Sequence, residues 1–584
     1  MLKLFSRHPL LFALLAGATA SAASAADNLR LAISGGNPTL RNNVRHHLDL
    51  GRLPCTIGEL QLGTALAGAD EAISAALRAL GHYHGSWTLS HERVPGRIGN
   101  DDCWRVAVHL EPGQPTLLTR VAISLTGNTG DNDGDLLAVI PGLPLKEGTV
   151  VNHGHYEDSK RQLRQRALAV GYFSSTLSHS VLAVDTLDHS ASAELVLDTG
   201  PRYRFGAVNY GDTGFDQDFL ARYQTFASGD YYDTGKLIAF QNNLINSQYF
   251  STVSVDQGEP DPDSTTVDLN LELVPKTRYE SIVGAGYSTD IGPRVSYRLH
   301  DRRFNSRGDT YQLSSQYAPV QSNLGFQFQQ PGRDPVKEKT LWLLGIQDED
   351  TDSAESTSYK AEVAVVNVLD NGWVQTHSLT LLNEKFRVAD DTNTSLLLYP
   401  GIGWTRSRAN DPRYPTRGWR LGASVKGGLE DLLSNTSFAQ ATTDAKIILP
   451  LGGGRLIGRS GLGTTAVRDF ARLPASLRFF AGGDNSVRGF AYESLGPRDG
   501  DDKVVGGKHQ ITASVEYDRL VYRDFGLAAF YDTGTAFDTN QFTLYESVGL
   551  GVRWFSPIGP IRVDLAFPLD DGGFRVHLSM GPDL

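Results

Sequence analysis

The chain has 584 residues, enough for several domains, and carries a formal net charge of −12. This charge disfavours nucleic-acid binding, because phosphate binding requires a cationic surface. Glycine is abundant at 61 residues, methionine is scarce at 2, and only 40% of the residues are hydrophobic, a composition typical of many short strands joined by polar loops.

The first 25 residues have the pattern of an export signal. Lys3 and Arg7 supply positive charge, residues 9–18 form a short apolar core, and residues 23–25 (ASA) provide a small-residue cleavage site. The apolar core is too short for a membrane helix, which takes about 20 residues, and no later run is long enough. We therefore expect residues 1–25 to be a cleaved signal peptide, and a mature chain in a membrane to enter it as a closed barrel.

Two cysteines, Cys55 and Cys103, follow the export signal. An oxidising compartment favours a disulfide between them over two unpaired thiols. The closed loop of about 50 residues would stabilise a small domain by up to a few kcal/mol. We expect no metal site, because the nearby His82, His84 and His91 fit surface strand positions.

A pattern of one strand, two helices and two strands occurs three times between residues 29 and 276. Each unit carries a glycine or glutamine with aromatic residues after its second helix, at positions 81–83, 171–173 and 248–250. Such units leave strand edges exposed, so they form either docking surfaces to which an extended partner adds a strand or a spacer arm. The predicted domain boundaries are 27–114, 115–201 and 202–275.

From residue 276 onward, apolar and polar residues alternate as in strands with two different faces. In the last strands the polar face carries, among others, Glu516, Asp532, Arg553, Asp564 and His577. A soluble β-sandwich would show the same alternation, but the export signal and the number of strands favour a barrel with a lipid-facing exterior and a polar lumen. Roughly 305 residues, at about 19 per strand and connection, predict about 16 strands.

The first predicted barrel strand, residues 279–288, has interior glycines, which weaken strand packing. A closed barrel must pair this strand with the last one, residues 574–580, so we expect a weak seam between them. The alternative interpretation is that the glycines make room for lumen side chains. The predicted seam residues are Tyr279, Ile282, Gly284, Gly286, Phe574, Val576, Leu578 and Met580.

The sequence contains no GxSxG serine motif, no HExxH zinc motif and no glycine-rich loop opening a helix. Adjacent carboxylates such as Asp390 and Asp391 occur in loop-like surroundings, where they are solvated. His153 and His155 precede a helical pattern and fit surface positions. We therefore expect no catalytic activity, no cofactor and no metal.

Near the C-terminal end, residues 480–490 read FAGGDNSVRGF. Taken alone, Arg488 in this stretch is either a solvated loop cation or a charge that folds back among carboxylates. Val487, Arg488, Gly489 and Phe490 resemble the conserved loop motif of the Omp85 superfamily. Residues 530–534 (FYDTG) resemble the strand signature Phe-x-Asp-x-Gly of the same superfamily, and the three repeated units resemble its POTRA domains.

This resemblance implies three α+β POTRA domains followed by a transmembrane antiparallel β-barrel of about 16 strands over residues 276–584. In the superfamily the motif loop folds into the lumen, where its arginine contacts acidic residues. Here those acids would be Glu516 and Asp532, both of which the alternation places on the polar face. Arg488 would then brace the lumen.

The resemblance also implies a function and partners. Three POTRA domains are typical of the translocation and assembly module branch, so the expected protein inserts or secretes outer-membrane proteins such as autotransporters. Its barrel would lie in the cell outer membrane and its POTRA domains in the periplasm. The implied partners are an inner-membrane-anchored protein, TamB, outer-membrane protein clients, which would pair at the seam, and outer-membrane lipid.

Three alternatives differ from the assembly factor. A two-partner secretion exporter would pass one dedicated substrate through its lumen, but three POTRA-like units disfavour it. A passive porin or an outer-membrane enzyme is disfavoured by the lack of catalytic motifs. Phospholipid transfer to the outer membrane is a further route that the resemblance implies.

Overall fold

The computed structural model describes residues 28–55, 57–95, 102–127, 134–539, 541–556, 559–570 and 572–580. The predicted signal peptide, residues 1–25, lies outside these ranges. Within them the strands form three three-stranded sheets and one sixteen-stranded sheet. No helix in the described ranges is long and apolar enough to cross a membrane.

The three small sheets share one strand order, in which the third strand in sequence lies between the first and the second. In the first two sheets the central strand is parallel to the first strand and antiparallel to the second. The strands are β1 (Arg30–Gly35), β2 (Ser86–Pro95), β3 (Asp102–Glu111), β4 (Leu117–Thr126), β5 (Thr176–Asp185), β6 (Ser190–Asp198), β7 (Arg204–Asn209), β8 (Phe250–Gln257) and β9 (Thr266–Pro275).

Helices connect the first and second strands of each sheet. Asn37 and Asn152 each begin a helix, one in the first module and one in the second, by accepting hydrogen bonds from the backbone N–H groups of Leu40 and His155. The helices are α1 (Pro38–Leu48), α2 (Glu59–Leu66), α3 (Ala69–Ala79), α4 (Gly134–Leu137), α5 (His153–Ala169), α6 (Gln217–Ala221) and α7 (Thr234–Asn246). Short 3-10 helices occupy Leu50–Arg52, Ile140–Gly142 and Ala475–Leu477.

Contacts divide the chain into two compact units. The first comprises residues Met1–Phe205, Gly229–Thr234 and Pro260–Val267, and the second comprises Gly206–Ser228, Gly235–Glu259 and Asp268–Leu584. In the first unit, α1 and α3 bury Leu40, Val44, Ile73 and Leu77 in one cluster with the β3 residue Val106. Burial of one apolar face of each helix stabilises this module.

A disulfide joins Cys55 to Cys103, with 4.4 Å between the Cα atoms. It links the segment between α1 and α2 to the central strand β3. Both cysteines are buried. The disulfide therefore closes a covalent loop around the core of the first module.

The second unit contains an antiparallel sheet whose order follows the sequence from β10 to β25, so the predicted barrel of about 16 strands is confirmed. The last strand begins at Arg575, one residue later than predicted. The strands are β10 (Tyr279–Ser288), β11 (Gly292–Asp301), β12 (Thr310–Tyr317), β13 (Gln321–Pro331), β14 (Glu338–Asp350), β15 (Ala354–Val368), β16 (Val374–Val388), β17 (Asp391–Ala409), β18 (Gly418–Gly428), β19 (Phe438–Leu451), β20 (Gly454–Val467), β21 (His509–Tyr522), β22 (Phe525–Phe537), β23 (Tyr545–Ser556), β24 (Gly559–Pro568) and β25 (Arg575–Met580).

The two faces of this sheet differ in the way the alternation predicts. On β22, Leu527 and Tyr531 are exposed, whereas Phe530 and Asp532, on the alternate positions of the strand, are buried. The charged residues Arg455 and Asp518, which pair across β20 and β21, are also buried. Apolar side chains thus cover the outside, and the buried charged side chains share the inner face, here called the lumen face.

Candidate functional site: the lumen loop and the barrel seam

The connection between β20 and β21, residues 468–508, folds back onto the lumen face. Three glycines, Gly482, Gly483 and Gly489, have φ values of +102°, +99° and +100°, which side chains disfavour. A Cβ at Gly482 would collide with the Ala491 carbonyl oxygen, and one at Gly483 would lie 2.9 Å from the Asp290 carboxylate. The glycines therefore permit both the turns and the close approach of the backbone.

A small apolar cluster holds the tip of the loop. Val487, Phe490, Ala481 and Leu495 are buried together, and Tyr545 of β23 packs against them. The Phe490 and Tyr545 rings meet edge to face with their centroids 5.4 Å apart. Both apolar residues of the Val-Arg-Gly-Phe motif therefore anchor the loop by packing.

Arg488 lies between these anchors and is buried, with only 3% of its side chain exposed. Its Nε and Nη2 donate to the two carboxylate oxygens of Asp532 at 2.7 and 2.9 Å. Its Nη1 donates to Glu516 at 2.8 Å and to Asp564 at 2.9 Å. The guanidinium also lies over the Phe530 ring, 3.4 Å from its centroid. The structure thus brings Arg488 together with both predicted acids and adds a third.

Arg553 of β23 completes the charge balance of this network. Its side chain donates to Glu516 at 2.7 Å and to Asp564 at 2.5 Å. Arg459 lies 3.8 Å from Asp532. Three arginines thus face three carboxylates, and such pairing is what permits the burial of charge.

Asp564 and Arg553 were not predicted to belong to the network around Arg488. The alternation had placed both on the polar face of their strands, which was the available signal. The alternation of side chains along a strand identifies those that face the lumen. It does not reveal which of several lumen-facing acids a loop arginine contacts. That depends on the path of the loop.

The seam between β10 and β25 has few backbone contacts. Within the described residues, no ladder of paired residues joins these end strands of the sheet. Thr289 N–H donates to the Leu578 carbonyl at 3.2 Å, and Leu578 N–H donates to Thr289 Oγ1 at 3.1 Å. The other predicted seam residues lie on these strands or beside them: Tyr279, Ile282, Phe574 and Val576 are exposed, and Met580 pairs with Ile561 on β24.

Gly284 and Gly286 have a packing role in β10. A Cβ at Gly284 would lie 2.6 Å from Ser296 Oγ, and one at Gly286 would lie 3.0 Å from Arg294 Nε. Both neighbours are on β11. The glycines therefore make room for side chains of the adjacent strand, which supports the alternative interpretation of their role.

Five residues connect the end strands to the motif loop, and we call them the clasp: Thr289, Asp290, Asp484, Gly489 and His577. Asp484 of the loop accepts hydrogen bonds from Thr289 Oγ1 at 2.8 Å and from His577 Nδ1 at 2.6 Å. The Asp484 N–H donates to Asp290 at 2.9 Å, and the Gly489 N–H donates to His577 Nε2 at 2.8 Å. The clasp thus ties the ends of both strands to one loop.

The bonding of His577 decides the chemistry of the clasp. Its Nε2 accepts a hydrogen bond from a backbone N–H, so Nδ1 carries the hydrogen that Asp484 accepts. The ligand atoms of Asp290, Asp484 and His577 lie within 4.8 Å of one another. Because both ring nitrogens are engaged, the arrangement supports a hydrogen-bonded junction and gives no basis for a metal site.

Burial, and secondarily the negative charge of Asp484, raise the pKa of Asp290 to about 6. A carboxyl whose pKa is raised by folding weakens the folded state as pH rises from its ordinary value through the raised one. The clasp is therefore expected to become more stable as the pH falls from 7 towards 5. Asp290→Asn should remove this pH dependence of thermal unfolding, because an amide does not titrate. Its oxygen can still accept the Asp484 N–H, so the hydrogen bond itself is kept.

His577→Ala is expected to loosen the seam. The substitution leaves the buried Asp484 carboxylate without one donor and the Gly489 N–H without its acceptor, and each unpaired buried group costs about 1–3 kcal/mol. Hydrogen exchange of the Thr289 and Leu578 amides should accelerate by about tenfold or more. His300→Ala on the neighbouring strand β11 is the control of matched residue type. Equal exchange in both variants would contradict the role of the clasp.

Two parts of the chain match sequence profiles of known families. Residues 265–582 match the Omp85 superfamily domain. Residues 30–112 match the first POTRA domain of TamA.

Among curated proteins, the chain is similar to the outer membrane protein assembly factor BamA of Nitratidesulfovibrio vulgaris, with 23% identity over 397 residues. It is also similar to BamA of Neisseria meningitidis serogroup B, with 25% identity over 419 residues. These alignments cover 62% and 58% of this chain and 49% and 50% of the relatives. The chain therefore spans about half the length of the curated relatives it matches.

Among solved structures, the chain is similar to the crystal structure of BamA from Haemophilus ducreyi lacking POTRA domains 1–3. The TM-score is 0.67 at 18% identity, and the match covers 80% of this chain and 100% of that one. At this identity the similarity shows a shared fold.

Proposed function

Because the chain belongs to the Omp85 superfamily, we propose that it is an outer-membrane factor that inserts or secretes other outer-membrane proteins. The observation that carries the proposal is the seam, where two edge strands meet through few hydrogen bonds. Edge strands have unpaired backbone N–H and C=O groups that can pair with an added strand. A client strand would pair with β10 or β25 after the seam opens. This mechanism contains no catalytic step.

We further propose that the chain is of the TamA type, with three POTRA domains at residues 27–114, 115–201 and 202–275. Support comes from the common strand order of the three small sheets and from the TamA-type profile match of residues 30–112. In the proposed arrangement these domains lie in the periplasm. A TamB-like inner-membrane-anchored partner would bind the first domain, whose outer strands β1 and β2 are the edges of its sheet.

The motif loop has a defined part in the proposed mechanism. Arg488 fixes the loop to β21, β22 and β24, and the clasp connects the same loop to both seam strands. Movement of the loop would therefore release both sides of the seam together. Autotransporters are the proposed clients. Outer-membrane lipid, which would contact the opened seam, is the other proposed partner.

A covalent lock across the seam tests the proposal. Ser288 and Ser579 each lie one residue from the hydrogen-bonded pair Thr289 and Leu578, so we expect Ser288→Cys with Ser579→Cys to form a disulfide. The locked protein should fold but lose assembly of an autotransporter client, and reduction should restore the activity. The readout is protease-resistant client in the outer membrane.

The matched control is Ser424→Cys with Thr442→Cys. These hydroxyl groups lie 2.7 Å apart on β18 and β19, which already pair along their length. A disulfide there locks strands that do not need to separate, so assembly should continue. If the seam-locked protein also assembles clients at the normal rate, opening of the seam is not the mechanism.

A further inference from the structure

The turn between β18 and β19 carries three largely exposed leucines. Leu429, Leu432 and Leu433 are 64%, 61% and 67% exposed. The Leu432 N–H donates to the Leu429 carbonyl at 2.9 Å, so the three residues belong to one tight turn. We call residues 429–433 the leucine turn. A contiguous exposed apolar patch of this kind marks a surface that contacts a membrane or another protein.

The leucine turn lies at one end of the apolar band of the barrel wall. Leu429 directly follows β18 and continues its alternation, in which Leu421 and Val425 are exposed on the outer face. Ten positions separate Trp419, on the same face, from Leu429, which corresponds to about 33 Å along a strand. With the strand tilt of about 40° that is usual in such barrels, the height is about 25 Å, which equals that of their lipid-facing band. Trp419 therefore marks one membrane boundary and Leu429 the other.

The neighbouring strand β17 holds the leucine turn at this height. Ser434, which follows the turn, donates from Oγ to the Leu398 carbonyl at 3.1 Å and accepts the Leu398 N–H at 3.0 Å. The Asn435 N–H donates to the Leu396 carbonyl at 2.8 Å. Leu381, directly opposite Leu398 on β16, is exposed on the outer face. The turn is therefore fixed beside lipid-facing positions of the wall.

The conformation and the charges of the turn also keep its leucines outside. Leu433 has a φ of +54°, which is rare for a bulky side chain and is maintained here by the bonds that follow it. Glu430 accepts a hydrogen bond from Arg468 at 3.1 Å and lies 3.8 Å from Arg472, so its charge is directed towards the connection between β20 and β21. Asp431 is exposed. An ionised carboxylate is costly within hydrocarbon, so Asp431 limits how deeply the turn can enter a membrane.

We propose that the leucine turn inserts among lipid acyl chains at the membrane boundary, with Asp431 at the level of the headgroups. The occupant is lipid because the turn continues the lipid-facing band of β17 and β18. Apolar groups at this boundary penetrate by about 5–10 Å. The proposal rests on the proposed place of the barrel in the outer membrane, but it requires no client.

The direction of the strands identifies the membrane surface. Consecutive strands of the sheet are antiparallel and β18 is the ninth of them, so it runs in the same direction as β10. The leucine turn, at the end of β18, is thus at the rim where β10 ends. With the POTRA domains in the periplasm, this rim faces the cell exterior. The acyl chains that the turn contacts are those of the outer leaflet.

This insertion gives the connection between β20 and β21 a lipid anchor. The Arg468 N–H donates to the Ser437 carbonyl at 3.0 Å, and Arg472 Nη1 donates to the Asn435 carbonyl at 3.2 Å. Together with Glu430, these contacts join the first residues of the connection to the leucine turn. The segment that leads to Arg488 is therefore positioned relative to the membrane, on the side of the barrel away from the seam.

Fluorescence quenching tests the proposal with the full-length protein reconstituted in phosphatidylcholine vesicles. The two native cysteines form a disulfide, so an environment-sensitive fluorophore attaches only to an introduced cysteine. Leu432→Cys places the fluorophore on the leucine turn. Leu344→Cys on β14 reports an exposed position of the outer face, and Leu187→Cys reports an exposed leucine in the β5–β6 turn of the second module. The quenchers are water-soluble acrylamide and a lipid with a nitroxide near the headgroup end of its acyl chain.

The fluorophore at position 432 should lose its fluorescence with the nitroxide lipid, as the one at position 344 does. It should also be protected from acrylamide in comparison with the one at position 187. Adding Leu429→Asn and Leu433→Asn should restore quenching by acrylamide, because less apolar surface then favours insertion. Heat-dependent gel mobility verifies that each variant is folded.

The other outcomes overturn the proposal for different reasons. If lipid quenches position 344 while position 432 responds as position 187 does, the leucine turn lies in water although the barrel is in the membrane. Protection of position 432 from both quenchers would mean that protein, such as a second copy of this chain, covers the turn. Unchanged quenching after both asparagine substitutions would show that the leucines do not drive insertion. If lipid quenches neither position 344 nor position 432, the proposed place of the barrel itself is wrong.

Discussion

Arg488→Ala is expected to destabilise the barrel by about 3–5 kcal/mol, the usual effect of removing one partner from a buried ion pair. Asp532 would lose the two hydrogen bonds that it accepts from the guanidinium. Glu516 and Asp564 would each lose one. Thermal unfolding, followed by heat-dependent gel mobility, measures the loss, and client assembly measured alongside it should fall sharply.

The size of this effect follows from the charge balance of the network. After the substitution, Arg553 faces both Glu516 and Asp564. Asp532 keeps hydrogen bonds from the Ser514 hydroxyl and from the backbone N–H of residue 488, but among the described residues its remaining ion pair is with Arg459, at 3.8 Å. Arg488→Lys should be intermediate, because an ammonium keeps the charge but cannot form the bidentate contact with Asp532. Asp532→Asn added to Arg488→Ala should recover part of the stability, since it removes the carboxylate left unpaired.

Arg498→Ala is the control within the same loop. Arg498 is partly exposed and lies 3.7 Å from Asp502, whose side chain is 87% exposed. Such pairs contribute about 0–1 kcal/mol, so unfolding and assembly should remain near normal. If Arg488→Ala were as mild as Arg498→Ala, the buried network would not brace the barrel.

The sequence predicts this network only in part. Alternation along β21, β22 and β24 identifies Glu516, Asp532 and Asp564 as lumen-facing, and the motif singles out Arg488. Asp564 joins the Arg488 network because of the path of the loop, which the turns at Gly482, Gly483 and Gly489 set. Turns of that kind are set by tertiary contacts, such as the close approach of Gly483 to Asp290.

The seam was also predicted from the sequence only in part. The interior glycines of β10 suggest a weak strand, but the register reveals that Ser296 and Arg294 occupy the space beside them. The seam joins Thr289 to Leu578, 289 positions apart, and the clasp joins His577 to Asp484, 93 positions apart. Periodicity describes each strand separately, so contacts between distant segments are beyond its reach.

Removal of the disulfide by Cys55→Ser with Cys103→Ser is expected to destabilise the first module by about 4 kcal/mol, from the entropy of a loop of this length. The sequence separation is 48 residues, and Cys103 is fully buried beside the module core. The same effect should follow from reduction of the wild type under native conditions. A small module with a limited core depends strongly on such a cross-link.

The expected result is selective unfolding, because the cysteines and the barrel lie in different compact units. Limited proteolysis should cleave the variant within residues 28–112 at temperatures where the wild type resists, while the heat-dependent mobility shift of the barrel stays unchanged. Binding of a TamB-like partner through the first domain should be lost together with that protease resistance. Cys103→Ser alone should behave as the double variant does. A lowered barrel transition, or partner binding that survives unfolding of the module, would contradict the proposed division of roles between the first domain and the barrel.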